Sequence, residues 1–120
     1  SDLYLDALLT TILITADGTI GNDKCAYIWA YGGDGTNYTD NCTGSDAAIT
    51  PADPTNMKFI DVVSIPVKQT TYKSVQRPIA LAFGGNLPYK YGIVVRNYCG
   101  IALGNSGNSA SYMPIYLTVA

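Results

Sequence analysis

The acids and amides best equipped for chemistry crowd into one stretch of this chain, YGGDGTNYTDNCTGSD, residues 31–46. Asp34, Asn37, Asp40 and Asp46 supply side-chain oxygens there, and Asp53 follows just beyond. Closely spaced oxygens are what Ca²⁺ takes, roughly six to eight at a time. The order departs from an EF-hand loop, because Thr39 stands at the sixth position from Asp34 and no Glu closes the loop. The expectation is therefore a solvated loop of Asx turns, with those four residues the candidate ligands should an ion bind. The same stretch holds two Asn-x-Thr triplets, beginning at Asn37 and Asn41. They match the acceptor pattern for N-glycosylation, but the sequence opens without a basic leader and cleavage site, so unmodified asparagines are expected.

Other chemistries are bounded by what is missing. The chain has no His, which removes the commonest general base and metal ligand. A Ser-His-Asp or Cys-His centre is excluded. Cys25, Cys42 and Cys99 form no C-x-x-C pair and are too few for a site of four thiolates. They are expected as free thiols; Cys25 and Cys42 would bridge only if their Cα atoms came within about 7 Å. A carboxylate-pair hydrolase remains conceivable. Its best acid is Asp61, inside the apolar FIDVV, yet strand alternation points that side chain to solvent. FGGNLPYK has glycines but not the spacing of a phosphate-binding loop.

The remaining candidates are aromatic. In CAYIWAY, residues 25–31, Tyr27, Trp29 and Tyr31 fall on one face of a strand by period two. Such a row serves as core, as a protein interface, or as a platform on which sugars stack.

These residues need elements to hold them, and composition points to strands. All nine acids are Asp and none is Glu, so a good helix former is replaced by a cap and turn former. Ten Tyr and many Thr, Val and Ile favour pleated surfaces. Strands are expected in TTILIT, CAYIWAY, KFIDVVSIPV, QTTYKSV, RPIALAFGG, YGIVVRNYCGIAL and YMPIYLTVA, with a short one near AAIT. The opening LYLDAL is compatible with a helical turn. Pro66 belongs at a strand end or edge. Asp17 to Cys25 and Asp34 to Cys42 both read D-G-T-x-x-x-D-x-C, which is expected to be two similar turns leading into strands.

Together these give one all-β domain over residues 1–120, an antiparallel, jelly-roll-like β-sandwich of seven or eight strands. Residues 1–9 are a possible N-terminal arm, with Leu3, Tyr4 and Leu5 as contact candidates. The chain is 48% hydrophobic and only 13% charged, with a net charge of −2. Such a surface suits a protein packed against neighbours. No basic patch suggests nucleic acid, and no apolar run is long enough to span a bilayer.

The final quarter, LPYKYGIVVRNYCGIALGNSGNSASYMPIYLTVA, residues 87–120, resembles small β-rich structural proteins of tailed-bacteriophage virions, including capsid decoration (cement) proteins. The resemblance carries no catalytic or binding residue over. It implies a non-enzymatic, many-copy virion protein, assembled in the host cytoplasm, that binds the major capsid or another virion protein as a homo-oligomer. No cofactor, nucleic acid or membrane is expected, and surface glycan is a possible partner. The alternative expectation is a carbohydrate-binding β-sandwich module using Tyr27, Trp29 and Tyr31.

Overall fold

A computed structural model describes residues 4 to 116, apart from 22, 46, 47, 53 and 105. It is a two-sheet, all-antiparallel sandwich, as the composition requires. Its strands are β1 (Tyr4–Ile14), β2 (Cys25–Gly33), β3 (Lys58–Ser64), β4 (Thr71–Lys73), β5 (Arg77–Pro78), β6 (Lys90–Asn97) and β7 (Ser109–Tyr116). In the first sheet β1 is central, with β7 along one edge and β4 and β5 end to end along the other. In the second sheet β2 lies between β3 and β6.

Alternation along β1 sends Ala7, Leu9, Thr11, Leu13 and Thr15 inward, and all five are buried. From β2 the inward residues are Ala26, Ile28 and Ala30. Ile65, Ile79 and Cys99 complete a core of large side chains set against small ones. The small residues of β2 let the sheets approach, which is why the aromatic half of CAYIWAY faces away from the core. Cys99 lies in the loop after β6, where its thiol donates to the Ile101 carbonyl at 3.2 Å. All three cysteines are free.

Several expectations change. YLDAL, residues 4–8, is strand rather than helical turn, because β1 begins at Tyr4 and pairs with β7 as far as Ile12. The arm contracts accordingly. Ala7 and Leu9 are core residues, so a cut at residue 9 removes part of the core. Leu3 lies outside the described residues, Tyr4 is opposite Tyr116, and Leu5 is exposed at a register shift between Tyr4 and Asp6. RPIALAFGG pairs only at Arg77 and Pro78, then coils into a 3₁₀ turn, Ala80–Phe83. The Asp6 carboxylate accepts the Ala80 N–H at 2.8 Å, and Gly84 closes the turn in the left-handed region. AAIT forms no strand over residues 48–50; Thr50 instead accepts a hydrogen bond from the Asn41 amide.

Candidate functional site

The outward face of the second sheet is aromatic. The β2–β6 register sets Tyr27 beside Arg96, Trp29 beside Val94 and Tyr31 beside Gly92. The β2–β3 register adds Phe59 beside Trp29 and Val62 beside Tyr27. A register shift between Ile28 and Trp29 brings Phe59 onto this face. The rings then pack together, edge to face except for the tilted Tyr27–Phe59 pair. Tyr27 and Phe59 centroids are 6.1 Å apart, Trp29 and Phe59 5.4 Å, and Tyr27 and Tyr98 5.1 Å. The Arg96 guanidinium lies 5.0 Å from the Tyr98 ring centre, within cation–π range. Phe59 and Val62 remain 49% and 47% exposed, so this is an apolar patch and not a second core. The Trp29 indole N–H is enclosed without a hydrogen-bond partner among the described residues.

Tyr31 leaves the row for the loop. Its ring meets Tyr38 at 5.9 Å, and burial first, then the nearby Cys42 and Tyr38, pushes its hydroxyl pKa above the ordinary value. Among the three residues expected to act together, Tyr27 and Trp29 share Phe59 while Tyr31 anchors the loop. Phe59, Tyr98 and Arg96 were not legible as members. Phe59 depends on the register shift, and Tyr98 lies beyond the end of its strand.

The polar stretch is a braced loop. Asp34 Oδ1 accepts the N–H groups of Asn37 at 2.7 Å and Thr36 at 2.8 Å, and its other oxygen accepts from the Asn37 side chain at 3.3 Å. These bonds, the Asn37 N–H first, hold the Asp34 carboxyl below its ordinary pKa. Asp40 is buried and turned the other way, accepting the Asn56 N–H at 2.9 Å and the Thr55 hydroxyl. Asp34, Asn37 and Asp40 are thus spent on closing turns, and Asp46 lies outside the described residues. No group of three acids, cysteines or histidines forms a metal site among the described residues. Both triplet asparagines are exposed, but Asn37 donates to Asp34 and Asn41 to the Thr50 carbonyl. The echo is only partly structural: Gly18 and Gly35 both take positive φ, at 145° and 96°, but the first copy leads into β2, whereas among the described residues no strand follows the second before Lys58.

Asp61 does not point to solvent. It sits opposite inward-facing Ile28, and its side chain is 13% exposed. There it pairs with Arg77 of the other sheet, with Nε 3.3 Å from one oxygen and Nη2 3.4 Å from the other. This clamp ties the carboxylate to a cation across the two sheets.

At the opposite edge the sheets gape. A cleft of about 780 Å³ opens between β6 and β7, lined by Thr11, Leu13, Ile93, Val95, Leu103 and Tyr112 among others, with no charged side chain in its described wall. The Thr11 hydroxyl is buried there without a hydrogen-bond partner among the described residues. Among the described residues no helix is long and apolar enough to cross a membrane.

The chain matches no protein-family model, no curated protein and no solved structure. The surfaces themselves therefore carry the functional reading.

Proposed function

We propose that this chain is a non-enzymatic structural protein of a virus particle, one that binds a capsid shell and stabilises it. The observation that carries the reading is the outward aromatic face of the second sheet. A sandwich working alone in water turns polar residues outward from its strands. Here Tyr27, Trp29, Phe59, Val62 and Val94 occupy those positions. Aromatic residues with an arginine beside them are the side chains enriched where proteins meet. The low charge and the loop braced by its own acids fit a protein whose function is contact.

Particles purified on a density gradient from the producing culture should contain this chain at a fixed ratio to the major shell protein. Absence from particles while the chain is abundant in cells would sink the proposal. Added back to particles stripped of it, Phe59→Asp should fail to rebind while keeping its thermal midpoint, because Phe59 is half exposed.

Carbohydrate binding is the second reading, and the outward placement of Tyr27 and Trp29 favours it over a core role for them. The edge-to-face packing sets the edge of one ring against the face of its neighbour instead of laying faces side by side for a sugar. That geometry favours the protein contact. Glycan-array binding abolished by Trp29→Ala would reverse the preference.

A further inference from the structure

The other outward face of the sandwich, on the sheet built around β1, is apolar as well. Leu8 and Ile12, both half-buried, point away from the core and belong neither to it nor to the side chains packed against it, while Ile14 beyond them lies against the loop at Gly104 and Gly107. The ladder sets Met113 beside Leu8, Ser111 beside Thr10 and Ser109 beside Ile12. Met113 and Ile115 are 50% and 39% exposed. Pro78 flanks Leu8 on the other side, and Thr71 flanks Ile14. Lys73, beside Ile12, stands at the rim, while the Asp6 carboxylate is turned to the N–H groups of Ala7 and Ala80. A central strand apolar on both faces is the pattern of a strand covered on both faces. This fold covers one.

We infer that this face is a homodimer interface, closed by a second copy of the chain across a twofold axis. Two features select a second copy. The face has no charge pattern for a different partner to complement, whereas an apolar patch meeting itself needs none. Its relief is self-complementary. Along β7 the small Ser109 and Ser111 lie at one end, and Met113 and Ile115 at the other. With the axis in the interface plane and across the strands, the bulky end of each copy falls on the small end of its partner. This inference does not rest on the capsid reading, because it uses the opposite face.

Sedimentation velocity on the full chain, from roughly 1 to 100 µM, tests it. The expected result is a dimer that dissociates on dilution. Ile12→Lys and Met113→Lys should each weaken it at least about tenfold, since each buries a charge at the interface. Met113 lies half exposed on an edge strand, so Met113→Lys keeps the test sound if Ile12→Lys fails to fold. Val62→Lys, on the aromatic face, should leave the dimer intact. A wild-type monomer at the highest concentration overturns the inference. So does a dimer indifferent to Met113→Lys, or one dispersed by Val62→Lys alone.

Discussion

The ring of Tyr31 lies across Gly92 on the neighbouring strand, so close that a Cβ at position 92 would fall 2.5 Å from the ring's Cζ and Oη. The two are a cross-strand pair in the β2–β6 ladder. Gly92 is buried beneath the ring, and the same ring meets Tyr38 of the polar loop. One glycine thereby fixes where the loop docks. Gly92→Ala should cost about 1–3 kcal/mol in urea unfolding, as overpacking does. In a Tyr31→Ala background the same change should cost much less, and the difference is the coupling that a double-mutant cycle reads. Equal costs in both backgrounds would remove the ring from the explanation.

The Asp61–Arg77 pair joins the two sheets at the edge opposite the cleft. Its carboxylate is largely enclosed and its guanidinium is half exposed. Its worth should therefore lie between that of an exposed pair and a buried one, at about 1–2 kcal/mol. Arg77→Gln should lower stability by that amount, and Asp61→Asn combined with Arg77→Gln should restore part of it. A double variant no better than Arg77→Gln alone would show that the stranded carboxylate is not the source of the loss.

Thr11 is 1% exposed, and its hydroxyl has no hydrogen-bond partner among the described residues. A buried, unsatisfied hydroxyl costs stability, so Thr11→Val should leave the protein as stable or raise it by up to about 1 kcal/mol. Chemical denaturation decides this. A loss of more than about 1 kcal/mol would mean that the hydroxyl is satisfied in solution, as a water in the cleft would do.

Acid should open the polar loop at Asp34. Its folded-state pKa is held below the ordinary value by the N–H groups of Asn37 and Thr36. The stabilisation is therefore present above the unfolded-state pKa and is lost as pH falls through the folded one. Amide protection of Thr36 and Asn37, measured by NMR exchange, should decline below about pH 4. In Asp34→Ala it should be low at every pH.

The sequence by itself determined a single-layer alphabet of strands. Asp without Glu, and Tyr, Thr, Val and Ile in alternation, leave little but β-structure, and the two faces of CAYIWAY can be read directly by period two. Which face is the core could not be read, because Ala26, Ile28 and Ala30 are apolar and so are Tyr27, Trp29 and Tyr31. Only packing against Leu9 and Leu13 of the facing sheet decided it, by preferring small residues where the sheets approach. The same holds for β1, whose TTILI run is apolar on both sides. Asp61 was misplaced by alternation alone, since its position depends on Arg77, sixteen residues away and in the other sheet. Residues 80–83 alternate like a strand, yet the Asp6 carboxylate takes the Ala80 N–H, and the chain closes its hydrogen bonds locally in a 3₁₀ turn. Period and composition are local properties. Partner, register and the choice of inner face depend on distant segments, and only the tertiary structure supplies them.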